Sequence, residues 1–321
     1  MKSFYRGQSV ALIVPCFNEE KAIQEVVLGF KKSMPEIDVY VFDNNSHDRT
    51  AQVSKDCGAK VVHVSLPGKG NVVRRMFADV DADVYVMVDG DSTYEAAAVC
   101  KLVDKLLDDD LDMVVGCRVT DSAASGKAYR AGHEWGNRLL TQSVVRIFGG
   151  EFTDMLSGYR AFTRRYAKSF PALSSGFETE TELTVHALEL RMPFGEISTA
   201  YGARPEGSHS KLSTYKDGWR ILKTIVKLYI SERPLYFFTG LSILLTLTAI
   251  LLSWPIFLEY FYTGLVPRLP TALLSASLII CALLSFACGL ILDNVTRGRH
   301  EIKRLAYLSY ARPKLDTNNE V

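Results

Sequence analysis

Residues 84–95 read VYVMVDGDSTYE. The five apolar residues predict a buried strand, and the run ends on two carboxylates, Asp89 and Asp91, with only Gly90 between them. Two readings suit that pattern. Asp-Gly is a common strand terminator, so the stretch is a plain turn. Alternatively, both carboxylates hold a divalent cation, and the ion in turn holds a phosphate. Gly90 bears on the second reading. Residues i and i+2 of a straight strand share a face, and converging on one ion needs a bend between them.

Other polar groups collect at strand ends in the same way. Asn18 and Glu19 follow the apolar run VALIV (10–14), and Asp43 follows VYVF (39–42). A carboxylate at 43 can accept a hydrogen bond from a base imide or ring N–H, and Asn18 or Glu19 can reach a ribose. An Asp-x-Asp beside them fits a cation bridging a diphosphate. Any one of these groups alone also reads as a helix cap, as Ser46 and Asp48 do ahead of RTAQV. Three strand ends converging on one edge make a nucleotide pocket.

The elements that must hold these groups alternate. KVVHV (60–64), VYVMV (84–88) and MVVG (113–116) join the two runs above as strands. Amphipathic stretches such as EEKAIQEVVLGFKKS and AAAVCKLVDKLLDDD lie between them. The rhythm predicts an α/β fold with a doubly wound, mostly parallel sheet that binds ligands at its carboxyl edge. PCFNEE, not Gly-x-Gly-x-x-Gly, follows the first strand, which disfavours a dinucleotide-binding Rossmann domain. A net charge of +1 over 321 residues argues against nucleic acid as a partner. Six cysteines without a Cys-x-x-Cys pair form neither a zinc site nor a disulfide framework, and suit a reducing compartment. MKSFYRGQSV lacks the apolar core of a signal peptide.

Residues 235–258 and 271–292 carry no charge. Each run is long enough to cross a hydrocarbon core of roughly 30 Å as a helix. The competing reading is a pair of buried core helices. Lys216, Arg220, Lys223, Lys227 and Arg233 precede the first run, and Arg297, Arg299, Lys303 and Arg304 follow the second. Only Arg268 lies in the connecting loop, so the positive-inside rule places both termini in the cytoplasm. Trp254, Tyr260, Phe261 and Tyr262 form an aromatic belt at the far interface. The expected division is a catalytic domain at 1–215, a juxtamembrane interfacial helix at 216–233, two spans within 234–293 (about 235–258 and 270–292) and a cytoplasmic tail at 294–321.

Proline and NEE after the first strand, FDNNSHDRT, GKGNVVRRMF, DGD, DMLSGYRAF and RPEGSHSKL together resemble the family 2 glycosyltransferases of GT-A fold. Within that family the chain is similar to the polyprenyl-phosphate glycosyltransferases, the group that includes dolichol-phosphate mannose synthase. The likeness runs from about residue 10 to 211. It implies that Asp43 and the region from Pro15 through Asn18 to Glu19 bind the nucleoside. It puts Lys69 by the diphosphate, and Asp89 and Asp91 by Mg2+ or Mn2+. Two departures stand out. Where the family often has Asp-Asp-Gly-Ser, this chain has Asp43, Asn44, Asn45 and Ser46, and where many members carry glutamine after the second metal aspartate it has Thr93.

The reaction so implied is attack by a polyprenyl phosphate oxygen on the anomeric carbon of a nucleotide sugar, with inversion, UDP-hexose being preferred to GDP-hexose as donor. A phosphate monoester, with a second pKa of about 6, is largely ionised at pH 7 and has little need of a strong base. Asp154, where relatives with hydroxyl acceptors would want a base, is assigned to orientation or weak base work, with a helix cap as the alternative. Arg204, Ser210 and Lys211 are the first choice for the lipid phosphate or diphosphate. Arg130 and Arg138, on a stretch (128–150) that is either an interfacial or a core-packed helix, are the second. Among Glu178, Glu180 and Glu182, Glu180 is preferred for the donor sugar. His186 reads as a packed helix residue. A homo-oligomer is compatible with all of this. The competing functions are a membrane glycosyltransferase with a sugar-hydroxyl acceptor and a non-catalytic scaffold on a transferase fold. The first would usually carry Gln-x-x-Arg-Trp, whereas QSVVRI has the wrong spacing and no tryptophan.

Overall fold

The computed structural model describes residues 4–119, 141–174, 176, 178–202 and 214–313. Its first unit, residues 1–223 with 303–321, is built on one seven-stranded sheet. In chain order the strands are β1 (Val10–Cys16), β2 (Asp38–Asp43), β3 (Lys60–His63), β4 (Val84–Met87), β5 (Met113–Val119), β6 (Arg160–Thr163) and β7 (Phe194–Ala200). In space they run β3-β2-β1-β4-β6-β5-β7. Every pairing is parallel except the two made by β6. The sequence rhythm finds β1 to β5. It passes over β6, four residues in a loop-like context, and β7, whose Gly195 and Glu196 break the apolar run.

The strands are apolar on both sides because helices cover both faces. Val10, Leu12 and Val14 of β1 join a core with Val27 and Phe30 of α1 (Ile23–Ser33) and Leu102 and Leu106 of α4 (Val99–Asp108). Ala11 and Ile13 point the other way, toward Val73, Met76 and Phe77 of α3 (Lys69–Asp79). The remaining helices are α2 (Thr50–Asp56), α5 (141–148), α6 (Arg164–Ser169), α7 (Thr179–Leu190) and α8 (Thr214–Glu232). Since β1, β2, β4, β5 and β7 all point one way, their carboxyl ends share a single edge, and the predicted site residues gather there.

The second unit, residues 224–302, holds α9 (Pro234–Thr263) and most of α10 (Leu269–Leu308). Both helices are long and apolar enough to span a membrane. Only 11% and 17% of their most apolar windows are buried. They meet along small residues. Ser275, Ala282, Ser285 and Gly289 of α10 are buried, and a Cβ at Gly289 would lie 2.9 Å from that of Phe238. The Ser285 hydroxyl donates to the Phe238 carbonyl at 3.2 Å. Close backbone approach through small residues is how helices associate in lipid. α10 does not stop at Leu292; it continues to Leu308 once its apolar stretch is over.

Candidate active site

Lys69, the first residue of α3, lies at the centre of the carboxyl edge. Its Nζ is 2.5 Å from Asp89 Oδ1 and 2.5 Å from Glu180 Oε1. Burial alone would lower the pKa of this ammonium, but the two carboxylates reverse the effect and hold it well above its ordinary value. The other oxygen of Glu180, Oε2, is buried and has no hydrogen-bond partner. Leaving a buried carboxylate oxygen unmet costs free energy that a purely structural site avoids.

Lys69 is aimed by Asn44. The Asn44 amide donates to the carbonyls of Val64 (2.9 Å) and Leu66 (2.8 Å), and its oxygen accepts from the Gly68 N–H at 2.7 Å. One side chain thus ties the end of β2 to the loop that delivers Lys69. An aspartate at 44 would turn both donors into acceptors facing carbonyls, which gives a physical reason for the departure from Asp-Asp. On the other side, Glu182 accepts the N–H groups of Leu173 (2.7 Å) and Ser174 (2.8 Å). The carbonyl of Ser174 occupies the space a Cβ at Gly70 would need, so this loop packs directly on the start of α3.

Asp91 is 4% exposed, and its Oδ1 accepts from the hydroxyl (2.6 Å) and N–H (3.2 Å) of Thr93. Thr93 therefore orients the second aspartate. The turn comes from Ser92, at φ +58°, and not from Gly90. Gly90 is needed for a different reason, since a Cβ there would lie 2.6 Å from the Sγ of Cys16 at the end of β1. Gly158 does the same for Asp89, whose Oδ2 is 2.5 Å from where its Cβ would be. Two carboxylates and a hydroxyl at one strand end are hard oxygen donors, which suit a divalent cation such as Mg2+ or Mn2+.

At the other end of the edge, Asp43 ends β2 beside Cys16 of β1 and His63 of β3. It is 5% exposed; Oδ1 is buried and unpartnered, and Oδ2 lies 3.4 Å from His63 Nδ1. Pro15 is the penultimate residue of β1, in register with Phe42. Asn18, at φ +54°, uses its side-chain oxygen to accept from His47 N–H at 2.8 Å, while its own N–H donates to Ser46 Oγ at 2.9 Å. The Glu19 N–H donates to Thr50 Oγ1 at 2.8 Å. Asp48 accepts from the N–H groups of Thr50 (2.9 Å) and Glu20 (3.1 Å). Ser46 and Asp48 thus stitch the loop after β1 to the loop after β2, beyond any capping role.

At the β5 end, Asp154 is 6% exposed and faces Arg118. Nε and Nη2 of Arg118 each donate at 2.7 Å, one to each carboxylate oxygen, and the Arg118 N–H adds a bond of 3.2 Å. The guanidinium also lies 5.6 Å from the ring centre of Tyr201. Behind this pair is Arg160, fully buried. It donates to the carbonyls of Ser157 (2.9 Å) and Met155 and to Thr184 Oγ1 (3.0 Å), fastening the 153–158 loop to α7, the helix of Glu180. Arg118 escapes the sequence reading because MVVG ends the strand three residues early; β5 reaches Val119. His186 is buried against Tyr166 and Phe170, and burial pushes its pKa down to about 3, as suits a packing residue. Arg130, Arg138, Arg204, Ser210 and Lys211 lie outside the described residues.

Asp43, Lys69, Asp89, Asp91, Asp154 and Glu180 therefore gather at one sheet edge. Comparison with known proteins gives the family. The profile of the family described as "Glycosyl transferase family 2" matches residues 11–170. Glycosyltransferase AglJ of Haloferax volcanii is 33% identical over 243 residues, covering 75% of this chain and 79% of that protein. A dolichyl-phosphate hexose transferase of the same organism is 27% identical over 71% of this chain and 97% of its own length. Among solved structures, glucosyl-3-phosphoglycerate synthase from Mycobacterium tuberculosis, in complex with Mn2+, UDP-glucose and phosphoglyceric acid, shares the GT-A fold. Its TM-score is 0.56 at 21% identity, over 70% of this chain and 80% of that one. The protein belongs to glycosyltransferase family 2.

Proposed function

We propose that this glycosyltransferase moves a hexose from a nucleotide sugar, UDP-hexose ahead of GDP-hexose, to the phosphate of a membrane polyprenyl phosphate, with inversion. The observation that carries the acceptor is the Arg118–Asp154 pair. A sugar hydroxyl must lose its proton as it attacks, and in this reading Asp154 is the carboxylate that would have to take it. Both its oxygens already accept from a guanidinium, so it can take a proton only by giving up part of that fork. A phosphate monoester arrives largely ionised and asks for no base. Arg118 can then offer the incoming phosphate the bidentate geometry it now gives Asp154.

In this reading Asp43 receives the base, and Asp89 and Asp91 hold a divalent cation. When bound, the cation supplies Lewis-acid stabilisation of the leaving diphosphate. Lys69 adds a fixed, desolvated ammonium on the same side, and Glu180 Oε2 is an acceptor for a hydroxyl of the donor sugar. The phosphate oxygen bonds to the anomeric carbon as the bond to the diphosphate breaks. The electron pair leaves with the nucleoside diphosphate. No proton has to move.

The membrane side of the proposal rests on α9 and α10, and on an exposed face of α8. Trp219, Leu222 and Val226 are 70%, 42% and 48% exposed at helical spacing, with Lys223 and Lys227 exposed alongside. An apolar stripe flanked by lysines suits the headgroup boundary, where a lipid phosphate lies. The proposal includes cytoplasmic termini and a multi-pass anchor in the inner membrane. Asp154→Asn tests the acceptor. Turnover on polyprenyl phosphate should stay within about tenfold of wild type, whereas removing a general base costs about 10²–10⁴-fold. A loss in that larger range would return the reading to a hydroxyl acceptor.

A further inference from the structure

Tyr94 closes the DGDSTY segment, three residues past Asp91. We infer that its hydroxyl is the positioning group for Asp89: it holds the Gly158 peptide against that carboxylate and so fixes where the carboxylate can meet a cation. The inference rests on the cation reading above. Tyr94 is 8% exposed, and its ring packs on those of Tyr159 and Tyr201, with centres 5.4 and 5.2 Å away. Its hydroxyl accepts from the Gly158 N–H at 2.9 Å, and the Ser157 hydroxyl lies 3.5 Å away. Burial pushes the phenol pKa up, so the group stays a neutral hydroxyl and its role is geometric.

Gly158 transmits the hold. An added Cβ there would lie 2.5 Å from Asp89 Oδ2 and 2.9 Å from its Cγ, so the Gly158 backbone abuts one side of the carboxylate. Lys69 Nζ meets Oδ1 at 2.5 Å. Asp89 is therefore clamped between an ammonium on one oxygen and a peptide against the other. Removing the Tyr94 oxygen leaves the buried Gly158 N–H without its acceptor. A buried donor does not stay unmet when its peptide can turn to another partner or to water. That turn moves Gly158 against Asp89. The same segment is anchored on its far side, where Tyr94 and Tyr201 form an antiparallel bridge and the Gly202 N–H donates to the Thr93 carbonyl at 2.8 Å. Thr93 in turn holds Asp91 through its own hydroxyl. Phenylalanine at 94 keeps the ring packing and the bridge, so it isolates the single oxygen that reaches Asp89 through Gly158.

The test is Mn2+ binding to the full-length protein in detergent, read by electron paramagnetic resonance of the free ion, with Asp91→Asn as the background. Tyr94→Phe should weaken Mn2+ affinity by at least about threefold. Gly158→Ala crowds Asp89 directly and should weaken it at least as much. The double variant should bind no more weakly than Gly158→Ala alone, because the two changes act through one contact. A tyrosine that only packs would lower the melting temperature on losing its hydroxyl and leave the Mn2+ affinity of the folded protein unchanged. That result, or additive losses in the double variant, overturns the inference and leaves the cation reading intact. Wild type that binds no more Mn2+ than Asp91→Asn overturns both.

Discussion

Asp112 and Asp43 are both buried carboxylates of the same sheet, one leading into β5 and the other closing β2, and they are treated in opposite ways. Asp112 is completely buried, and both of its oxygens are met. Thr163 Oγ1 (2.7 Å) and Arg165 Nε (2.5 Å) donate to Oδ1, and Arg165 Nη2 (2.9 Å) and the Tyr307 hydroxyl (2.7 Å) donate to Oδ2. Tyr307 stands in the last turns of α10, and its ring lies 4.7 Å below the Arg165 guanidinium. At the carboxyl edge, Asp43 Oδ1 and Glu180 Oε2 are equally enclosed and have no partner. A satisfied network stabilises a fold, whereas an unmet buried carboxylate oxygen calls for an explanation, and on the proposed reading that explanation is a ligand at the carboxyl edge.

The contrast breaks if mutations at the two edges act alike. Asp91→Asn should lower turnover by about 10²–10³-fold and leave the melting temperature nearly unchanged, measured on the same preparation. Asp112→Asn should do the reverse. Stripping the charge that Arg165 faces should cost about 3 kcal/mol of stability in denaturant unfolding, with turnover of the folded fraction retained. Tyr307→Phe removes one hydrogen bond to a charged group and should cost about 1.5 kcal/mol by the same method. It sharpens the comparison because Tyr307 is 195 residues from Asp112 in sequence. A chain cut after α8 would lose that hydroxyl along with α9 and α10, so point substitution is the cleaner experiment. The smallest effect concerns acid. Burial would raise the carboxyl pKa of Asp48, but the hydroxyl and N–H of Thr50 and the N–H of Glu20 outweigh it and hold the value below the usual range. A depressed carboxyl contributes stability that is fully present above the unfolded value of about 4 and is lost as pH falls through the folded one. Asp48→Asn should therefore lower stability slightly at neutral pH and flatten the acid limb below about pH 4, so that variant and wild type converge in acid.

The parts of the fold that sequence reading reaches are those with local signals. Apolar runs mark β1 to β5, and polar residues at their ends mark Asp43, Asp89 and Asp91. Lys69 comes from likeness to a family and Glu180 from a choice among three alternating glutamates, since nothing local says that residues 111 positions apart share an ion pair. Asn44 looks like a departure from pattern until its three bonds are seen across to 64–68. Arg118 and Arg160 act through partners that only the sheet brings near, so local reading has nothing to detect them by. Gly90 matters through crowding against Cys16, a contact between strands that local sequence does not show.

The most direct test of the central claim is transfer of labelled hexose by membranes bearing the protein, from a panel of nucleotide sugars, with polyprenyl phosphate and the corresponding polyprenol compared as acceptors. The account predicts an organic-extractable, mild-acid-labile product with the phosphate acceptor alone, lost in EDTA and restored by Mg2+ or Mn2+. Equal transfer to the polyprenol, or label appearing in a glycan hydroxyl acceptor instead, would contradict it.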